Sequence, residues 1–263
     1  MSDEHGTIIE LRGVSKRFGP LQVLDEVDLA LARGRTTVVI GESGTGKSVL
    51  LKHIVALLRP DGGEVHFHGR RIDSLSERRL VDIRKRFGLL FQMGALFDSM
   101  TVAENVGFPL TEHTHHPREA IAQTVTQKLQ LVGLDGLQDR RPGQLSGGQK
   151  KRVALARAIA LDPEVVLYDE PTTGLDPIRA DVINELILKL KRELHVTSVV
   201  VTHDMTSACK VADRIVMLHE GRIIADGTPD WFRTCDTPQV RRFVDGQADP
   251  SDLKALHLQT TRV

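Results

Sequence analysis

Net charge is what this 263-residue chain lacks most plainly, because 35 Lys and Arg are matched by 35 Asp and Glu. That balance argues against a protein held to nucleic acid by bulk positive charge, while leaving local patches open. Cysteine is scarce as well. Cys209 and Cys235 are the only two, with neither metal-ligand spacing nor a framework of further cysteines, so a reduced compartment without structural disulfides is expected. No stretch approaches the roughly 18 consecutive apolar residues that a membrane-spanning helix needs. Any membrane role then has to come through a partner. The opening "MSDEHGTIIEL" has no basic segment leading into an apolar one and is not expected to act as a signal peptide. No internal repeat or low-complexity segment is present.

What is present alternates. The chain begins with β-rich runs, "TIIELRGVSKRF" and "LQVLDEVDLALARG", followed by the compact β-branched run "TTVVIG" at 36–41 and a helical pattern, "SVLLKHIVALL". "GGEVHFHGRRI" reads as an edge hairpin, and "LLF" as the end of a buried strand reaching Phe91. From about Thr101 to Gln144 the apolar spacing is helical, with polar interruptions such as "TEHTHHPRE". A helix over 147–161, the strand "EVVLYD", a helix over about 178–194, the strand "TSVVVTH" and a helix over about 205–212 come next. "DRIVMLHEGRIIADG" then predicts two strands around Glu220–Gly221. Strands alternating with helices of this length imply a largely parallel sheet covered on both faces. The length suits one domain with an added lobe rather than two independent domains.

Two stretches carry chemistry. "GESGTGKS", Gly41, Glu42, Ser43, Gly44, Thr45, Gly46, Lys47 and Ser48, fits G-x-x-x-x-G-K-[ST] and lies between a predicted strand and a predicted helix. Glycines let backbone N–H groups converge on phosphate oxygens, and the helix N-terminus favours negative charge. In that reading Lys47 reaches the β- and γ-phosphates, and Ser48 ligates Mg²⁺. "VVLYDE" places Asp169 and Glu170 side by side at the end of an apolar strand. Two carboxylates there are costly unless a cation or hydrogen bonds receive them. Asp169 is expected to hold Mg²⁺ through water and Glu170 to polarise the attacking water. His203 ends a strand, where it reads either as a structural residue or as a γ-phosphate contact. The His-rich loop at 113–116 reads as solvated, since no acidic or cysteine partner accompanies it.

"QLSGGQKKRVALARAIALDPEVVLYDEPTTGLDP" over 144–177 is the most specific segment. Ser146, Gly147 and Gly148 open a helix and make a second anion-binding helix start beside an already complete phosphate loop. With these motifs in this order, residues 8–245 resemble an ATP-binding-cassette ATPase. The resemblance implies an α/β fold: a P-loop NTPase core with an N-terminal antiparallel β subdomain and an inserted helical subdomain at about 95–160. Residues 1–245 would form that domain and 246–263 a tail. It also implies a homodimer with two ATP molecules sandwiched, the loop at 41–48 of one chain facing Ser146, Gly147, Gly148 and Gln149 of the other. Carried over residue by residue, Phe18 stacks on adenine, where the family more often has Tyr. Gln92 contacts Mg²⁺ or the attacking water, Glu170 is the catalytic base, Asp176 crosses the dimer interface and His203 binds the γ-phosphate.

"GKSVLLKHIVALLRPDGGEV", "LLFQMGALFDSMTVAENVGFPLTEH" and "RRFVDGQADP" narrow the resemblance to the ATPases of Mla/MCE-type lipid transport systems. Such a subunit lies on the cytoplasmic face of the inner membrane and works with an integral permease, an MCE-domain protein and, in some systems, a STAS-domain protein, with no nucleic acid involved. The mostly apolar segment after Gln92, with Met93, Ala95, Leu96, Phe97 and Met100, is where the family receives a short permease helix; it reads equally as an anchor between lobe and core. "PQVRRFVDG" reads as a helix packed on its own domain or as a clasp on the second subunit. The alternatives to lipid transport are a cassette ATPase for another cargo or for cell-division machinery, or a soluble non-transport member of the family.

Overall fold

The structure, a computed structural model, describes residues 6–248. Most of the expected tail at 246–263 lies outside them. The chain starts with β1 (Thr7–Phe18) and β2 (Leu21–Ala32), then β3 (Thr36–Ile40) and α1 (Lys47–Ile54). β4 (Gly62–Phe67), β5 (Arg70–Arg71), α2 (Glu77–Arg84) and β6 (Phe87–Leu90) follow. Next come α3 (Val102–His113), α4 (Arg118–Leu131) and, after a short 3₁₀ turn, α5 (Gly147–Ala158). β7 (Val165–Asp169), α6 (Pro177–Leu194), β8 (Thr197–Thr202) and α7 (Met205–Val211) lead to β9 (Arg214–His219), β10 (Arg222–Gly227), α8 (Pro229–Thr234) and α9 (Pro238–Asp245).

Two sheets result. An antiparallel one has the order β2-β1-β4-β5, and a six-stranded one has the order β10-β9-β3-β8-β7-β6. In the second sheet every neighbouring pair is parallel except β10 with β9. The period-2 pleat sorts its side chains into two cores. Val38, Ile40, Val166, Tyr168, Val200, Ile215 and Met217 point into one. Val39, Val165, Leu167, Val199, Val201, Val216 and Leu218 point into the other. Continuous apolar runs such as "TTVVI" arise because both faces are buried. The coverage is asymmetric: the first core is closed by residues of α3 to α9, while the second is closed by α1, α2 and the antiparallel sheet.

Several boundaries differ from those predicted. α1 ends at Ile54 rather than near Leu58, and α5 ends at Ala158 rather than 161. α1 is closed by Ala56, which takes the left-handed conformation at φ 53°. Leu57 and Leu58 turn back so that both backbone N–H groups donate to the Lys52 carbonyl. β6 stops at Leu90, one residue before Phe91. α7 stops at Val211. In α9, Val240 is buried and Phe243 and Val244 pack against the chain's own core, which favours the first of the two readings of that helix.

The segment after Gln92 is tied down by a residue its composition conceals. Asn105 is fully buried on α3. Its Oδ1 accepts from Phe97 N at 2.9 Å, and its Nδ2 donates to the carbonyls of Phe97 (3.1 Å), Met100 (3.3 Å) and Thr101 (2.9 Å). Thr101 and Glu104 add a reciprocal capping box at the start of the same helix. Leu96 packs on the core, whereas Phe97 is 41 % exposed and Met93 is 89 % exposed. The segment therefore anchors through Leu96 and Asn105, leaves Met100 half-buried, and presents Met93, Ala95 and Phe97 outward. Asn105→Ala is expected to cost about 2 kcal/mol, since it strands buried backbone groups, and to lower the thermal midpoint by about 4–8 °C in a chain of this length. Differential scanning calorimetry reads that shift directly.

Candidate active site

Parallel strands deliver their carboxyl ends to one edge of a sheet, and the crevice outside that edge is where such folds bind ligands. Here Gly41 follows β3, Asp169 and Glu170 close β7, His203 follows β8 and Gln92 lies just beyond β6. These four strands are adjacent, so residues up to about 160 positions apart in the chain meet at one edge. A cavity of about 580 Å³ opens there. Ser43, Gly44, Gly46, Lys47, Ser48 and Phe18 line it from one side, and Gln92, Glu170 and His203 from the other. Val23, Val49 and Thr173, which sequence reasoning missed, line it too.

The loop is shaped by close approaches as much as by chemistry. Gly46 has φ 99°, and a Cβ there would lie 2.8 Å from the Val23 carbonyl oxygen on β2. A Cβ on Gly41 would lie 2.3 Å from the Leu218 carbonyl oxygen on β9. Both positions exclude any side chain. Thr45 closes the turn by donating its hydroxyl to the Glu42 carbonyl at 2.9 Å. Lys47 is 6 % exposed and its Nζ donates to the carbonyls of Gly41 (2.8 Å) and Glu42 (2.7 Å). Burial holds its ammonium below the usual lysine range, against the opposing pull of Glu170 and Asp169.

The carboxylates are received as the strand-end argument requires. Ser48 Oγ donates to Asp169 Oδ1 at 2.8 Å. Burial still pushes the Asp169 carboxyl above its ordinary value, with the Ser48 hydrogen bond and the nearby lysines acting the other way. Glu170 has φ 48°, an uncommon conformation for a side-chain-bearing residue. Its N–H donates to the Val201 carbonyl at 3.0 Å. That turn aims the carboxylate into the cavity, where Oε2 lies 2.9 Å from His203 Nδ1 and accepts from Thr173 Oγ1 at 3.0 Å. Oε1 lies 3.9 Å from Lys47 Nζ.

Ser146, Gly147, Gly148, Gln149 and Asp176 do not line this cavity. Ser146 caps α5, accepting from Gln149 N at 3.3 Å while Gln149 Oε1 accepts from Ser146 N at 2.9 Å. Asp176 caps α6, accepting from Arg179 N at 3.0 Å. The two caps are neighbours: a Cβ built on Gly147 or Gly148 would sit 3.8 Å from Leu175 or Arg179 respectively. Ser146, Gly147 and Asp176 are exposed. The chain thus carries a phosphate-type cavity and, apart from it, a solvent-facing helix start. Thr173 and the buried Lys151, whose Nζ lies 3.2 Å from the Glu170 carbonyl oxygen, carried no signal of their own. Each joins the site only because the turn after β7 folds back on α5.

Comparison with known proteins places this geometry. The profile of the ABC transporter family matches residues 24–173. An "intermembrane phospholipid transport system ATP-binding protein MlaF" of Escherichia coli (strain K12) is 42 % identical over 249 residues, covering 95 % of this chain and 93 % of that protein. A "probable ribonucleotide transport ATP-binding protein mkl" of Mycobacterium leprae (strain TN) is 42 % identical over 242 residues, covering 92 % and 70 %. Among solved structures, a dimeric post-hydrolysis ATP-binding cassette bound to ADP and Pi superposes with a TM-score of 0.78 at 33 % identity, covering 84 % of this chain and 99 % of that one. The chain belongs to the ABC transporter family and is one of its ATPase subunits.

Proposed function

We propose that this chain is the ATP-hydrolysing subunit of a membrane transporter that moves phospholipid, working as a homodimer with an integral permease and an MCE-domain protein. The observation that carries the hydrolytic part is Glu170, held by His203 and Thr173 at the mouth of the cavity that Lys47 and Ser48 line. Two copies pair head to tail, and the exposed Ser146–Gln149 start of α5 in one chain faces the ATP on the 41–48 loop of the other. Asp176, capping the neighbouring helix, crosses in the same interface. Phe18, 46 % exposed at the cavity rim, stacks on the adenine.

Ser48, Asp169 and Gln92 offer hard oxygen donors, two of them already paired at 2.8 Å, and they fit Mg²⁺. When bound, that ion neutralises charge on the phosphates. The chain's own residues do the rest. Glu170 takes a proton from water as its oxygen bonds to the γ-phosphorus, and the β–γ bridging oxygen leaves on ADP. Lys47 and His203 stabilise charge on the transferring phosphoryl group.

The one-domain partition over 1–245, with a helical lobe at about 95–160, belongs to this reading. So does docking of a permease segment after Gln92, where an open groove of about 560 Å³ is lined by Phe87, Leu89, Phe91, Ala95, Phe97 and Phe108. An amphipathic helix suits such a groove, and no described helix is itself long and apolar enough to cross a membrane. The subunit sits on the cytoplasmic face of the inner membrane through that contact. A STAS-domain protein is a further partner, and nucleic acid is not one. Lipid is favoured over ribonucleotide because the correspondence runs over nearly the whole length of the MlaF protein and over only 70 % of the mkl protein.

Three outcomes are expected. Purification from the native membrane in mild detergent, followed by mass spectrometry, recovers a permease, an MCE-domain protein and stoichiometric phospholipid. A permease without an MCE protein would overturn the lipid cargo, and a ribosomal or DNA-repair complex would overturn transport. Glu170→Gln retains ATP binding, traps an ATP-dependent dimer in size-exclusion chromatography and loses about 10²–10⁴ in kcat. Asp169→Asn behaves oppositely on stability and activity. Because burial raises the Asp169 pKa, folding favours its protonated form, and the chain loses stability as pH rises through that value. At neutral pH the neutral side chain therefore raises the thermal midpoint of the nucleotide-free chain, read by differential scanning calorimetry. The gain narrows as pH falls into the carboxylate range, and Mg²⁺-dependent ATPase activity is lost.

A further inference from the structure

We propose that Lys151 is a positioning residue that links the dimer-facing start of α5 to the backbone of Glu170, so that nucleotide clamped at one site of the dimer is registered at the other. This rests on the head-to-tail pairing proposed above. In that pairing Ser146 of a chain serves its partner's nucleotide, while Glu170 of the same chain serves its own.

Lys151 sits five residues after Ser146, on the second turn of α5. It is 7 % exposed. Among the described residues its hydrogen bonding consists of one contact, Nζ to the Glu170 carbonyl oxygen at 3.2 Å. An ammonium has three donors, and burying it with one acceptor is costly. Met or Gln would fill the same space at less cost, so packing alone does not account for a lysine. Burial pulls it below the usual lysine range, and among the described residues the Glu170 carboxylate attracts it the other way.

The acceptor is an unusual one. Glu170 sits at φ 48° and is followed by Pro171, so the peptide unit that Lys151 holds has no N–H to brace it. Its carbonyl is shared with Thr173 N at 3.3 Å, and Thr173 also donates its hydroxyl to the carboxylate at 3.0 Å. Rotating that peptide displaces both the base and the threonine that orients it. At its other end, α5 is a short rigid lever. The reciprocal Ser146–Gln149 box leaves little freedom between the helix start and Lys151. Displacement of the helix start by a partner's nucleotide is delivered, through one ammonium, to the carbonyl of the base.

The test is ATPase kinetics of the full-length dimer with Lys151 changed to Met, Gln or Arg, each variant also made in the Glu170→Gln background. The Met variant is expected to lose at least about tenfold in kcat with KM within about twofold, as misplacement of a catalytic group does. Its Hill coefficient for ATP falls to about 1, because the coupling between sites is removed. ATP-dependent dimerisation in the Glu170→Gln background is retained, the thermal midpoint stays close to the parent's, and Arg restores most of kcat and of the cooperativity. Unchanged kcat and Hill coefficient in the Met variant would overturn the inference. So would a loss of kcat that follows falling midpoint and ATP affinity equally in Met, Gln and Arg, which would mark a packing role. A parent chain that neither hydrolyses ATP nor dimerises in the Glu170→Gln form would instead overturn the function proposed above.

Discussion

A buried strand that ends in two adjacent carboxylates is the constraint on which the rest of this structure depends. Val165 to Tyr168 are fully buried, and Glu170 remains 8 % exposed. Charge in such surroundings persists when it is paired, and the pairing has drawn in groups from across the fold. Ser48 from α1 reaches Asp169. His203 beyond β8 and Thr173 from the turn reach Glu170. Lys47 stands near both acids. The compensation is incomplete by physical necessity: burial still holds Asp169 up and Lys47 down from their ordinary values. A site in that condition gains from a polyphosphate and a divalent cation, whose charges complement the unsettled ones.

The sheet makes this arrangement possible. Parallel register sends the ends of β3, β8, β7 and β6 to one edge, and the pleat divides the side chains behind them into two cores. The asymmetry of those cores has a functional side. The antiparallel sheet closes one face and brings Phe18 and Val23 to the cavity rim. The helices close the other face and carry the exposed Ser146–Gln149 start away from the chain's own cavity.

α5 connects these regions. Its start lies beside the Asp176 cap, its second turn touches the Glu170 backbone, and its end sends Arg157 Nη2 to the Gly94 carbonyl at 3.0 Å and over the Phe97 ring. One twelve-residue helix thus runs from the exposed Ser146 cap, past the Glu170 backbone, to the Phe97 ring.

Much of this was legible in the residues. The strand "TTVVI", the loop "GESGTGKS" and the acid pair after "VVLY" are local signals. A β-branched run, a glycine loop and two carboxylates mean the same thing wherever they occur, so the phosphate chemistry was readable before any coordinates. The order of motifs also carried the fold class. Helix ends were less legible: α1 closes at Ala56, which turns left-handed at φ 53° inside a run whose apolar periodicity continues to Leu58. Asn105, Thr173 and Lys151 were invisible: an asparagine inside a helix, a threonine in a turn and a lysine among lysines have no distinguishing pattern. Their roles come from what they meet, Phe97 eight positions away and Glu170 three or nineteen positions away. The one-dimensional sequence by itself determined which chemistry the chain has, since local residue type dictates donors, charges and turns. Only the tertiary structure decided which groups hold Asp169 and Glu170, because that depends on how a buried turn packs against a helix distant in the chain.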